Sequence, residues 1–475
     1  MKTRKIIILS VSVVLLLATA AGAYALSPKK AAKAEPVWSE GVMRICINTI
    51  SGSMDAINAD LEHIEKASFE ISDENGKLLY KSGGNKIHAH GNSSFWLTDK
   101  KSYTLKLPEA RNLLSHSETD SYVLVSNFAD ISMLRNKMVY DTARRTSPYW
   151  SPACDYAEVY FNGEYGGLYL FVEKIEEETL GIKDGGFLCE NIIMTYGEKG
   201  FYVAQAVYPI DSGMLSSYMM KMQSVNAAVS AEDGRDPKTG KHYTELIDVE
   251  SFARKYLIEE IFQNIDINVS SNFSYSTDGG AIINGPCWDY DKTLNSYPDA
   301  FLALQAPGEN MEKPLYYHLY QMEEFAALVR ELYKTEYLPI LEEYLSGGLD
   351  ALDERIATAR ERDLSVWESA YLNFNLLCAE SVPYDVASIK EYLATRIEFL
   401  NRVWIDGEDL YRDIDLGYLK ILAPSETTGD TGIEIGENKL FFAVMMMIFG
   451  VSGGILLFAE NRRNIKQKMR NEKII

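Results

Sequence analysis

Asn264, Asp266, Asn268 and Asn272 lie close together, and Trp288-Asp289-Tyr290-Asp291 follows after two apolar runs. Carboxylates and carboxamides at this spacing are the inventory of phosphoryl transfer. One Asp orients an attacking hydroxyl, an Asn lies a few residues on, and a second Asp holds Mg²⁺. The same residue types also crowd ordinary turns, where their side chains hydrogen-bond the backbone. Taken alone, the segment supports both readings.

The elements around it narrow the choice. Residues 249–263 have helical periodicity with Asp248 as their cap, so the first acidic group follows a helix. The chain from 42 to 125 is strand-rich, with a hairpin signal at Asp73-Glu74-Asn75-Gly76 and alternation over 101–107. Residues 130–145 have helical spacing with Asp130 as N-cap. Two further strands, 156–161 and 167–174, meet at the turn Asn162-Gly163. Helical periodicity then dominates at 316–345, 349–377 and 386–404, with Asp385 capping the last. No internal repeat is present. This order predicts an α+β chain with a divergent two-lobed protein-kinase-like fold, a β-rich N-lobe over about 42–175 and a helical C-lobe over about 176–424. A cleft between the lobes is a natural nucleotide site.

The chain has 475 residues. Lys2, Arg4 and Lys5 precede a mostly apolar run and Ala23-Tyr24-Ala25, the order of a secretory leader over 1–25, with an uncleaved anchor as the alternative. Residues 26–41 read as a spacer and 425–439 as an acidic stalk. Residues 440–459 carry no charge and are long enough to span a bilayer, and the tail 460–475 is basic. Together these predict a single-pass cell-membrane protein with its large domain outside and its tail in the cytoplasm. The formal net charge is −21, from 47 basic and 68 acidic residues. That balance repels nucleic acid and favours solubility, cationic partners or divalent ions. The five cysteines are scattered, with no spacing suited to a disulfide framework or a metal knuckle.

Four stretches resemble one family. They are Gly91-Asn92-Ser93-Ser94-Phe95 with Lys100-Lys101-Ser102-Tyr103-Thr104-Leu105-Lys106-Leu107; Leu134-Arg135-Asn136-Lys137-Met138; Asn162-Gly163-Glu164-Tyr165-Gly166-Gly167-Leu168-Tyr169-Leu170 with Glu173; and Asn264-Ile265-Asp266 with Asn272 and Trp288-Asp289-Tyr290-Asp291. In this order they resemble the CotH family of atypical spore-coat protein kinases, over roughly 42–300. The resemblance implies ATP and Mg²⁺ (or Mn²⁺) as cofactors and a role for each candidate. Lys106 would reach the ATP phosphates; the competing reading is a solvent-facing strand lysine, and Lys101 points to the opposite face. Ser93 and Ser94 would belong to a phosphate-covering turn that is also an ordinary loop. Glu173 would contact adenine or a basic partner, or form a structural salt bridge. Asp266 would be the catalytic carboxylate. Asp289 would be the main Mg²⁺ ligand, with Asn272 (or Asn268) and Asp291 beside it. The usual Lys–Glu pair is absent in its ordinary form, because no Glu lies between Asp130 and Arg145.

The chain departs from the family at His88-Ala89-His90, where the family commonly carries arginine. Neutral histidine cannot fork two hydrogen bonds to phosphate. Two rings on one strand face also suit a transition metal. The implied function is transfer of the ATP γ-phosphoryl group to Ser or Thr of surface or coat proteins, with a basic protein as the favoured substrate. A catalytically weak pseudokinase acting as an envelope or coat scaffold is the alternative. Nucleotide transfer and a glycan acceptor also remain open.

Overall fold

The computed structural model describes residues 36–408, apart from 92, 197–198, 268–269, 296–297, 305–313 and 379–384. Seven strands close on themselves. They are β1 (Met43–Thr49), β2 (Glu65–Ser72), β3 (Leu78–His90), β4 (Ser102–Arg111), β5 (Thr119–Val125), β6 (Cys154–Phe161) and β7 (Glu164–Glu173). Strands β1 and β2 alternate buried and exposed residues, while β6 and β7 are buried on both faces. Their order around the barrel is β1-β2-β3-β4-β5-β7-β6. A parallel pairing that sets Met43 against Ala157 and Ile47 against Phe161 joins β1 to β6 and closes the ring. Inward positions such as Ile45, Phe69, Ile87, Leu105, Leu124 and Phe171 fill the interior. The period of two that places them there sends their neighbours outward.

A second layer covers part of the outer surface. Leu168, Leu170 and Val172 of β7 and Tyr156 of β6 share one core with the helices Arg135–Thr146 and Val249–Phe262. Beside these helices lies a four-stranded sheet ordered β11-β10-β8-β9. Its strands are β8 (Phe187–Tyr196), β9 (Lys199–Tyr208), β10 (Asn272–Ser276) and β11 (Ile283–Asn284). The expected two-lobed kinase fold is therefore corrected. The first half is a closed barrel, and the second half carries a sheet of its own among its helices. Element order along the chain is silent on closure, which rests on a pairing between strands far apart in sequence.

The single-pass membrane placement is corrected as well. Among the described residues no helix is long and apolar enough to cross a membrane. The segments on which the placement rested, 1–25 and 440–459, lie outside the described residues, as do 425–439 and 460–475, and it is not carried further. Cys46, Cys154, Cys189 and Cys287 are free thiols.

The helix Leu349–Cys378 straps the barrel through its charges. Arg355 reaches Asp155 at 2.8 Å and Arg362 reaches Glu158 at 2.6 Å. Deeper in, Asp363 lies 2.7 Å from the Lys100 ammonium, and both side chains are fully buried. Lys100 also donates to the Leu168 carbonyl at 2.6 Å and to the Tyr371 hydroxyl at 2.8 Å. Burial pulls the Lys100 ammonium below the usual lysine range, and Asp363 opposes that pull. Gly167 has φ +119, and a Cβ there would lie 2.4 Å from Asp363 Oδ1. The paired glycines of the third motif thus admit this contact. Removing one partner strands a buried charge, so Asp363→Ala should lose about 3–5 kcal/mol in urea unfolding. A Lys100→Met, Asp363→Leu double variant should recover most of that loss, because apolar replacement of a buried pair is often near neutral.

Candidate active site

Asp248 caps the helix Val249–Phe262 by accepting from the Ser251 N–H at 2.9 Å. The helix ends at Gln263, whose φ of 50° turns the chain out of it. Ile265 and Ile267 are buried on either side, which leaves Asp266 partly exposed between two anchors. The Asn264 side chain accepts from the Asp266 N–H at 3.1 Å, and the Asp266 carbonyl accepts from Ser270 at 3.0 Å. An apolar-Asp-apolar triplet in a hydrogen-bonded turn presents its carboxylate in one direction.

The second acidic segment is held from the helix Arg135–Thr146. Asn136 Oδ1 accepts from the Tyr290 N–H at 2.7 Å, and the Tyr140 hydroxyl accepts from the Asp289 N–H at 3.1 Å. Arg135 Nε donates to the Thr293 carbonyl at 2.7 Å. The Tyr290 hydroxyl accepts from Lys255 and donates to Glu259, each at 2.6 Å. These bonds hold Asp289 at φ +64°, in the left-handed region that a short polar side chain tolerates. Arg135 and Asn136 of the second motif therefore position the acidic loop.

The two segments meet. Lys292 Nζ lies 3.4 Å from Asp266 Oδ2. Burial pushes the Asp289 carboxyl up to about 6; the Asp266 charge adds to this, and Lys292 and a hydrogen bond from Ser271 oppose it. Burial also pushes the Asp291 carboxyl well above the carboxylate range, with Asp289 adding. Glu190 is raised by burial and opposed by the Ser271 N–H, which it accepts at 2.9 Å. Ser271 thus ties the start of β10 to Asp289. The adjoining Asn272 amide accepts from Asn284 at 3.2 Å and donates to the Ile267 carbonyl at 3.4 Å.

The remaining candidates are spread over the barrel. His88, His90, Thr104 and Lys106 project from the outer face of β3 and β4, opposite the buried Ile87, Ala89 and Leu105. His90 meets Trp288 edge-on at 6.0 Å and bonds Thr104 at 3.0 Å. Ser93 begins the short helix Ser93–Leu97, and Ser94 Oγ donates to the His90 carbonyl at 3.5 Å, so this turn borders the Trp288 side. Lys106 contacts Asp120 at 2.6 Å and Glu176 at 3.4 Å, and Lys174 contacts the other oxygen of Glu176 at 3.1 Å. Glu173 is fully buried, and its oxygens accept from His116, Ser117 and the Ala153 N–H at 2.7–3.0 Å. Its carboxylate is occupied in bracing that loop.

Burial lowers His90 to about 3, with Lys174 and His88 adding to the fall, so the ring is neutral at neutral pH. Among the described residues no three His, Cys, Asp or Glu side chains converge to hold a metal by themselves. The acidic site nevertheless fits a hard cation shared with phosphates. Magnesium usually takes one or two carboxylates and completes its shell with phosphate oxygens and water. Mutual repulsion between Asp266 and Asp289 marks the excess negative charge that such an ion offsets. Lys292, Glu190 and Ser271 went unmarked in the sequence. A lysine beside Asp291 looks like any surface pair, and only the fold brings it to Asp266.

The family model described as CotH kinase protein matches residues 87–400. The chain belongs to the CotH kinase family. Comparison with curated proteins finds no match. CotH membership indicates a spore-coat-associated, kinase-like function, and the site motifs from Gly91 to Asp291 all fall inside the matched region.

Asp289 sets a measurable pH dependence. An unfolded aspartate titrates near 3.9, and the folded Asp289 near 6. Between those values the unfolded chain has lost the proton and the folded one retains it, so stability falls as pH rises through the window. Asp289→Asn removes that loss. The variant should be more stable than the parent by about 3 kcal/mol at about pH 7 and by little at about pH 4, read by urea unfolding.

Proposed function

We propose that this CotH protein transfers the γ-phosphoryl group of ATP to a Ser or Thr hydroxyl of a protein substrate, with Mg²⁺ or Mn²⁺ as the required ion. The observation that carries the reading is the meeting of Asp266 and Asp289 around Lys292, where Asp266 remains partly exposed and Asp289 is fixed by its backbone. The bound ion would offset charge on the phosphates and on Asp289, with Asn272 and Asp291 beside it. Asp266, held by its turn, would accept the proton of the acceptor hydroxyl. Lys106, on the outer barrel face, would contribute a cation to the phosphates. Ser93 and Ser94 would border them at the Gly91 turn. The net charge of −21 favours a basic substrate protein.

A second reading has its own support. His90 is neutral where a permanent cation would aid phosphate binding, which favours a catalytically weak coat scaffold. Both readings are separated by incubating the protein with γ-labelled ATP, Mg²⁺ or Mn²⁺, and a basic test protein. Asp266→Ala should keep Mg-ATP affinity and lose transfer by a factor on the order of 10²–10⁴. Asp289→Ala should lose both. If the parent protein binds no Mg-ATP and labels neither itself nor the test protein, the scaffold reading replaces this one.

The two lysines of β4 and its entrance should also differ. Lys101 donates to the Phe95 and Thr98 carbonyls at 2.5 Å, closing the short helix before β4. Lys106→Ala should weaken ATP binding, while Lys101→Ala leaves it close to the parent value. Calorimetric titration measures both, and the reverse ranking would contradict the assignment of Lys106.

A further inference from the structure

Lys292 stands among carboxylates that need a cation. Its ammonium lies 3.4 Å from Asp266 Oδ2, and both side chains are largely shielded from water. Its charge also acts on Asp289 and Asp291, so a single lysine serves the whole acidic cluster. The backbone at its base is tightly held. Thr293 Oγ1 donates to the Tyr290 carbonyl at 2.8 Å, the Thr293 carbonyl accepts from Arg135, and the Leu294 N–H donates to the Phe262 carbonyl at 2.8 Å. Lys292 therefore rises from a fixed point towards Asp266 and is no loosely placed surface lysine.

We infer that Lys292 is the resident counter-cation of the Asp266–Asp289 pair: it positions Asp266 and keeps a lone divalent ion weakly bound until nucleotide phosphates arrive with it. The inference rests on the metal–nucleotide reading of this site. A divalent ion approaching alone meets carboxylates whose charge Lys292 already offsets in part, together with direct repulsion from the ammonium. An ion carried by ATP brings phosphate oxygens that neutralise it and give the ammonium a second anionic partner. Lys292 is thus a positioning residue for Asp266 and a selector for the metal–nucleotide complex over the free metal.

The test titrates the full chain with Mn²⁺ alone, reading free Mn²⁺ by electron paramagnetic resonance, and measures transfer from Mn-ATP in parallel. Lys292→Met should bind Mn²⁺ on the order of tenfold tighter than the parent and yet turn over more slowly, because Asp266 loses its partner. Lys292→Arg, which retains the charge, should keep the weak Mn²⁺ binding of the parent. General damage to the fold would lower binding and turnover together, so opposite changes in the two readouts identify the proposed role. Mn²⁺ affinity that is equal or weaker in Lys292→Met overturns the inference while leaving the nucleotide reading intact. Failure of both parent and Lys292→Met to bind Mn²⁺, with ATP present or absent, overturns the nucleotide reading and the inference with it.

Discussion

The buried ion pair between Asp130 and Arg135 is the contact on which the rest of the site depends. Both side chains are fully enclosed where barrel, helix and acidic loop meet. Asp130 accepts from the backbone N–H groups of Ser132 and Arg135 at 3.1 and 3.0 Å, which fixes the entry to the helix Arg135–Thr146. Arg135 then reaches across to the Thr293 carbonyl, and the next residue, Asn136, holds Tyr290. From the other side, Arg360 of the strap helix donates to the Ser132 carbonyl at 3.2 Å. A charge pair inside protein is costly to form and costlier to break. Placed here, it makes the position of the acidic loop conditional on the docking of helix and barrel.

The loop so held works against its own electrostatics. Asp289 and Asp291 are pushed towards protonation by burial and by neighbouring carboxylates, with Lys292 as a common counterweight. A fold selected for stability alone would replace such groups. Their presence beside a partly exposed Asp266 is the arrangement expected where a cation and an anionic ligand enter together. The neutral His90, edge-on to Trp288, gives that side of the acidic loop an aromatic and uncharged character, and Lys106 and Lys174 lie along the barrel in ion pairs with Asp120 and Glu176.

Local signals in the sequence were legible. The hairpin turn at Asn162-Gly163, the capped helix before Asn264 and the alternation that separates Lys101 from Lys106 all depend on neighbours within a few residues. Closure of the barrel was not, because the β1–β6 pairing joins strands with residues 50–153 between them. The single helical stretch expected over 316–345 is divided into Leu315–Tyr320, Glu323–Leu332 and Leu338–Glu343, with a π-helical turn at Tyr333–Tyr337. Side-chain roles followed the same rule. Asp266 stood out through the carboxylates and carboxamides spaced around it, and the buried Ile265 and Ile267 that anchor its turn emerge only in the fold. Glu173 reads alike as an adenine contact or a brace, and its partners His116 and Ser117 are distant in sequence. Lys100 precedes the strand lysine of interest, and nothing local marks it as a buried anchor for Asp363.

The central claim is that the acidic pair forms a site for a divalent ion bound together with nucleotide. Calorimetric titration of the purified protein with ATP, in Mg²⁺ and again in a chelator, tests it most directly. The account predicts saturable binding with Mg²⁺ and its loss in the chelator. Equal binding under both conditions, or none under either, would contradict it.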